Sequence, residues 1–578
     1  MRQTARAGAI SWCANVLPAL AAPSPGPAGP TAGRPTRGVG TAEPDGPPLA
    51  PTAGSGGRRP HLGTPAFLLS SSIVAAAAVF ENFYRLSRAP IQVDEALYAN
   101  VSWRYLHWNS LPATQRTSVL NNFEHPPLAK VLFGLAELVR GRPDIGAARA
   151  VSACCTVGTA LILCLWLGAA VNRWAGLLAG GTLALIPMSV TPQVTRFGRA
   201  AMLDPVAGFF VVGSLALGWY WFRHSGWRAW VLAVAAGIGT GLASASKENG
   251  FLGLVVPVAA GLVWSRHPLT ALLVRLLQAL SAVVAAAGAF LCCYLPFGDP
   301  AGRIGYLYRF QSRHSRNGHT VGFDGRLASH PPWWTNLWFA GHGVGPMLSW
   351  ALPLAMLAAV VLRRDRLVGW LVASLVAPLI FHCWLAGVVL PFYWTLWTPA
   401  AVALSALGCW ELARLAGQVR PPGLRQRLAR GTAGLAAAGA LVAIVVPSVG
   451  QLDRVARLPR DGPVALPGIR ARLGLHGAVL TTGFQRIEVA TFTGTAPVYL
   501  RLPKDFQGID TVLIGQPRCH TVSDPVVRAF VVTNLRSGSL RLVRTDRLAR
   551  LYLASGPLQA PTADEIRAQP VVQLVTGC

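Results

Sequence analysis

Charge is scarce in this chain. Charged side chains make up 13% of the 578 residues and hydrophobic ones 52%, whereas a water-soluble chain carries about a quarter charged residues. That excludes an ordinary soluble globular protein and points to a polytopic membrane protein embedded in a lipid bilayer. Acids are the scarcer sign: 23 Asp+Glu stand against 51 Lys+Arg, a formal net charge of +28. In a soluble domain such a surplus would suggest nucleic acid as a partner. Here much of the arginine lies in short loops between apolar segments, so membrane topology accounts for it and no nucleic-acid partner is expected. Lysine is nearly absent, occurring only as Lys130, Lys247 and Lys504. There is no Asp-x-Asp motif for a metal-bound nucleotide sugar and no Walker A loop. The apolar segments hold very few acids (Glu81 and Glu411 lie near ends), which counts against an ion-coupled transporter. Of the ten cysteines, Cys154, Cys155, Cys164, Cys292, Cys293, Cys383 and Cys409 fall in apolar segments and read as packing residues. None is spaced as a zinc ribbon or a redox pair. Cys519 and Cys578 lie in the polar C-terminal part, where a disulfide is an open expectation if that part is extracytoplasmic.

Residues 1–62, rich in Pro, Gly and Ala without periodicity, read as a disordered cytoplasmic tail. Membrane spans need roughly 20 apolar residues. They are expected at about 65–84, 147–169, 174–190, 204–222, 228–245, 249–264, 271–295, 346–362, 367–384, 388–408 and 432–449, making residues 63–450 an eleven-span unit. Loops bearing Arg173, Arg223 and Arg228, Arg266, Arg363 to Arg366, and Arg414 to Arg430 alternate onto one face, which the positive-inside rule makes cytoplasmic. The loops 85–146, 191–203 and 296–345, the turn at Lys247 and the tail then lie on the outer face of the cell membrane. Trp333, Trp334 and Trp338 suit an interfacial belt there. The tail, 451–578, reads as a small extracytoplasmic α/β domain. Its short apolar runs are Ala478–Leu480, Thr511–Ile514 and Phe530–Val532, and Arg541–Arg544 alternates like an edge strand.

Three polar islands share the outer face. The first holds Asp94 and Glu95. A carboxylate at a membrane surface can take the proton of an acceptor hydroxyl; the alternative is a solvated or helix-starting acid. The second runs Asn121-Asn122-Phe123-Glu124-His125-Pro126-Pro127-Leu128-Ala129-Lys130. Its prolines suit the start of an amphipathic helix over 128–139. The third is Arg196-Phe197-Gly198-Arg199-Ala200-Ala201-Met202-Leu203-Asp204-Pro205. Asp204 before Pro205 reads first as a helix N-cap, and Arg199, on an external loop, as a guanidinium for phosphate. The turn Ser246-Lys247-Glu248-Asn249-Gly250 offers a second phosphate cation or simply a snorkelling lysine. The histidine-rich stretch from Arg313 to His319, with Pro331 to Trp334, reads as a lid or acceptor-binding loop, since its spacing fits no common metal site.

In this order the motifs resemble the multispanning, lipid-phosphate-sugar-dependent glycosyltransferases of the C-type fold, and within them the protein O-mannosyltransferase branch, glycosyltransferase family 39, in a bacterial form. Asp94-Glu95 is similar to that family's Asp-Glu, and His125 to Lys130 to its His-Pro-Pro-Leu-Gly-Lys, with Ala129 in place of Gly. Arg199 to Asp204 resembles its Arg-x-x-x-Leu-Asp, and Lys247 with Gly250 its Lys-x-x-Gly turn. Gly318-His319 and Pro332-Trp333-Trp334 resemble a later external loop. The likeness covers roughly residues 65–450. The loop 296–345 is too short for the β-trefoil of eukaryotic members, and the C-terminal domain lies outside the shared region. The resemblance implies transfer of a sugar, mannose, from a polyprenyl phosphate to an acceptor hydroxyl, on protein or another cell-envelope molecule, with inversion. It implies Asp94 as general base, Glu95 as its support, and Arg199, Lys247 and His319 as cations for the leaving phosphate. His125, Pro126, Pro127, Lys130 and Asp204 fall to supporting roles. No cofactor is required, and a divalent cation stays an open option. The competing readings are an aminoarabinose-type transferase acting on lipid, a transferase acting on a cell-wall glycan, and a flippase of lipid-linked sugars, which would place its polar residues at mid-membrane.

Overall fold

The computed structural model describes residues 65–86, 93–189, 196–264, 269–319, 321–324, 326–418, 442, 444–453, 455–457, 478–482, 508–515, 525–545 and 549–568. Its membrane part is helical because, in lipid, each backbone N–H and C=O must be satisfied within the protein. In chain order come α1 (Pro65–Phe83), α2 (Val93–Leu106), α3 (Leu128–Leu138), α4 (Ile145–Ala170), α5 (Arg173–Leu185), α6 (Leu203–Arg223), α7 (Gly226–Ser246), α8 (Leu252–Trp264), α9 (Leu269–Cys292) and α10 (Pro300–Asn317). A two-residue-linked strand pair, β1 (Val321–Phe323) and β2 (Arg326–Ala328), precedes α11 (Thr335–Val344), α12 (Pro346–Leu362), α13 (Arg366–Ile380) and α14 (Thr398–Gln418). Among the described residues six helical segments are long and apolar enough to cross a membrane, and α11 with α12, bent by 111°, makes a possible seventh.

Several expected spans are interrupted, each for a local reason. The segment expected at 174–190 ends as α5 at Leu185, because Ile186 precedes Pro187 and turns extended. The segment expected at 249–264 opens as a 3-10 turn, Glu248–Phe251, before the 13 residues of α8. Residues 388–397, expected within a span, form no α-helix, running irregularly past Pro391 into a 3-10 turn at Tyr393–Leu396; non-helical backbone is tolerated at such depth when buried in protein, and Val388, Val389, Trp394 and Trp397 are all buried. Most of the span expected at 432–449 lies outside the described residues.

Helices in a bilayer pack through dispersion and close backbone approach rather than hydrophobic burial. At the α7–α9 crossing a Cβ on Gly237 would lie 2.1 Å from Ala282 O. Short polar caps set the turns between spans. The Asp144 carboxylate accepts from Ala147 N–H to start α4, Asn172 accepts from Trp174 N–H at α5, and Asp365 from Val368 N–H at α13. The expected helix at 128–139 is α3.

The C-terminal residues build a four-stranded sheet of order β3-β4-β6-β5, from Ala478–Thr482, Ile509–Gly515, Leu540–Thr545 (β5) and Ala549–Ala554 (β6), with β3 parallel to β4 and the other pairs antiparallel. The strand expected at Phe530–Val532 is instead part of a helix, α15 (Pro525–Arg536). Three consecutive apolar residues do not distinguish strand from buried helix, and Val526 with Phe530, one turn apart, places them in the domain's core. Arg541–Arg544 is on the edge strand, as expected. Cys519 and Cys578 lie outside the described residues.

Candidate active site

The three polar islands converge. Asp94 and Glu95 occupy the first turn of α2, and consecutive helical residues point about 100° apart, so the two acids have different fates. Glu95 turns inward and is fully buried. It accepts from Arg149 Nε at 2.8 Å and Nη2 at 2.7 Å, and from Ala201 N–H at 2.6 Å. Arg149, on α4, also donates to Leu86 O. Glu95 thus ties α2 to α4 and to the third island.

Asp94 faces the other way. It is half-buried, and among the described residues it has no hydrogen-bond or ion-pair partner. Burial raises its carboxyl above the ordinary aspartate value of 3.8; the charges of His125, Lys247 and His319 oppose that rise and Glu124 adds to it. Three residues expected at the site therefore act on Asp94 from three separate chain segments.

The second island is held by a lysine. Lys130, fully buried on α3, donates from Nζ to Asn122 O, Asn122 Oδ1 and His125 O at 2.5, 3.1 and 2.9 Å. Burial pushes its ammonium down to about 7. Asn122 sits at φ 51°, a left-handed conformation that asparagine tolerates. The loop then carries His125 through the buried Pro126 and Pro127 into α3, with Pro127 at the helix start. His125 Nδ1 lies 3.2 Å from Glu248 Oε2. Burial alone would raise the Glu248 carboxyl, but His125 and Lys247 outweigh it and hold it down to about 2.

Lys247 ends α7 and makes a buried ion pair with Asp204. This corrects the reading of Asp204 as an N-cap: α6 begins at Leu203, Met202 occupies the cap, and the Asp204 carboxylate spans to the lysine instead. The Lys247 ammonium also stands 4.8 Å from the Phe392 and Tyr393 ring centres. Phe392 stacks on Phe197 of the third island at 5.3 Å. The following turn admits only glycine at 250, where a Cβ would lie 2.2 Å from Ala243 C and 2.4 Å from Ser244 N. Gly250→Ala should therefore cost about 1–3 kcal/mol by overpacking and displace Lys247. The check is a lowered unfolding midpoint; an unchanged midpoint would refute the close-approach argument.

Arg199 is not brought to Asp94. It is buried in the 3-10 turn Phe197–Arg199, donates to Tyr84 O, and lies near Arg149, Arg196 and Glu81. Burial pushes its guanidinium down to about 10. His319 is exposed, its ring 5.2 Å from that of His314. Among the described residues no group of three or more His, Cys, Asp or Glu is placed to hold a metal ion.

Sequence reasoning missed four participants: Arg149, Glu248, Asn249 and His382. His382 is buried in a π-helical turn, Phe381–Leu385, with Nε2 3.2 Å from Asn249 Nδ2 and its carbonyl accepting from Asn336. A lone histidine inside an apolar run was the available signal. Arg149, inside the second expected span, was another.

Residues 82–298 match the family model for dolichyl-phosphate-mannose-protein mannosyltransferase. The fold is similar to that of ArnT from Cupriavidus metallidurans bound to undecaprenyl phosphate, with 15% identity, TM-score 0.56, and coverage of 86% of this chain and all of that one. It is also similar to the oligosaccharyltransferase AglB from Archaeoglobus fulgidus in complex with an inhibitory peptide and a dolichol-phosphate, with 12% identity, TM-score 0.53, and coverage of 79% of this chain and 70% of that one. No curated protein sequence matches the chain. The architecture is that of the C-type glycosyltransferase fold, and among the described residues six helical segments are long and apolar enough to cross a membrane.

Proposed function

We propose that this protein transfers mannose from a polyprenyl monophosphate to a serine or threonine hydroxyl of a protein, on the outer face of the plasma membrane, with its N-terminus cytoplasmic. The observation that carries the reading is the half-buried Asp94 carboxylate, which among the described residues has no hydrogen-bond or ion-pair partner and on which His125, Lys247 and His319 act from three separate segments. The Asp94 oxygen takes the acceptor's hydroxyl proton as the acceptor oxygen attacks the anomeric carbon. The bond from that carbon to the phosphate oxygen breaks, and polyprenyl phosphate leaves as an anion. One displacement inverts the anomeric centre. The negative charge that develops on the phosphate calls for fixed cations; Lys247 and His319 supply them, with Arg199 bracing the third island from below. The family match over 82–298 supports mannose as the sugar, and the arginine-bearing loops opposite the site support the orientation. Membranes containing the protein, given radiolabelled polyprenyl-phosphate-mannose, should yield labelled protein that releases mannose on β-elimination. Label found solely in lipid or glycan would overturn the acceptor; no label would overturn the reading.

A pH dependence follows from the same carboxyl. A general base works only when anionic, so protonation of Asp94 stops transfer. Because burial raises this carboxyl, the acid limb of the rate profile should fall at a pH above 3.8 and flatten toward neutrality. A limb centred at or below the ordinary aspartate value would refute the assignment.

A further inference from the structure

The α9 span ends at Phe297, and the chain then turns sharply through Gly298 and Asp299, both left-handed at φ 68° and 46°. Asp299 caps α10 by accepting from Gly302 N–H at 3.0 Å. Helix α10 therefore starts where a membrane span stops and cannot continue it, which sets it at headgroup level. It lies at the same end of the molecule as the site, since Gln311 Nε2 donates to Glu124 O at 2.7 Å and His319 follows directly.

The helix holds no acid in its 18 residues and four arginines. Arg303 is accounted for: it folds back on Phe297 O and Gly298 O, over the rings of Trp108 and Phe123. Arg309, Arg313 and Arg316 are not. They recur four and three residues apart, which puts them on one face; all three are exposed, and among the described residues none of their guanidinia has a hydrogen-bond or ion-pair partner. Tyr308, 65% exposed, flanks the same face, and Leu295, 60% exposed, precedes the turn. The positive-inside rule does not explain them, because the arginine-bearing loops that it assigns to the cytoplasm lie at the opposite ends of the spans.

We propose that the outward face of α10, carried by Arg309, Arg313 and Arg316, is a docking surface for the headgroups of anionic phospholipids. Guanidinium forks match phosphate oxygens, and a basic residue near an anionic bilayer surface contributes on the order of a five-fold preference. The start of α10 one sharp turn after the end of a membrane span favours lipid over a soluble acidic partner such as an acceptor peptide. Docked there, anionic lipid would fix the height of the helix that leads to His319.

The test uses the full chain in nanodiscs of phosphatidylcholine containing one tenth phosphatidylglycerol, with retained lipid counted by native mass spectrometry. The unaltered protein should retain phosphatidylglycerol several-fold better than the R309Q/R313Q/R316Q variant, and the R309K/R313K/R316K variant should recover most of the difference. Equal retention by the unaltered and glutamine-substituted proteins, with both eluting as folded monodisperse particles, would overturn the proposal. So would loss of binding to an acidic peptide by the glutamine variant at unchanged lipid retention. The readout needs no turnover, so it stands or falls apart from the transferase reading.

Discussion

Asp94→Asn should reduce transfer by about two to four orders of magnitude, the contribution of a positioned general base, while donor binding stays within a few-fold of the unaltered protein. The amide keeps the volume and the half-buried position of the side chain but cannot accept the acceptor's proton. It also removes a negative charge from a cluster that contains His125, Lys247 and His319, so an anionic lipid-phosphate donor would bind no more weakly. Two measurements decide the matter: turnover with labelled donor, and donor affinity by calorimetry or competition in detergent. Retained turnover would remove Asp94 from the chemistry. Turnover and donor affinity lost together would make it a binding residue instead.

Arg149→Ala should be the most destabilising single change in the outer half of the molecule. It leaves the Glu95 carboxylate fully buried after taking away two charge-assisted hydrogen bonds, and breaking a buried pair from one side costs about 3–5 kcal/mol. Removing both partners should be milder, because the cost of a buried unpaired charge disappears. The double variant Glu95→Leu with Arg149→Met is thus expected to melt above Arg149→Ala. The comparison is made on the unfolding midpoints of the purified proteins in one detergent. A double variant that melts lower than the single one would show that the pair contributes net stability.

The polar islands that converge in the fold were legible in sequence because chemistry-bearing residues are so rare in this chain that their clusters stand out. His125, Lys247 and His319, drawn from three separate segments, all act on Asp94. What sequence could not show was which way each side chain turns. Glu95 is one residue from Asp94, yet it is spent on Arg149. Asp204 carries every local sign of a cap, but a longer-range partner, Lys247, outcompetes the backbone amides of its own helix. Arg199 and Lys247 looked equivalent as cations, and folding separates them, one beside Glu81 and the other beside Asp94. The expected spans went astray where proline or a tight turn interrupts an otherwise apolar run, since hydropathy reports burial and not continuity of helix.

The Glu95–Arg149 clamp has a further consequence for how the molecule can adapt. The candidate base sits one peptide bond from a fully buried carboxylate held by Arg149 and by Ala201 N–H, so its position is set by the helix that carries it and not by a side-chain search. Asp94 behaves as a stator, and the acceptor must be delivered to it. Any broadening of acceptor range would then have to come from elsewhere around the site, such as the exposed His319, leaving the position of Asp94 untouched while the shape of the entrance changes.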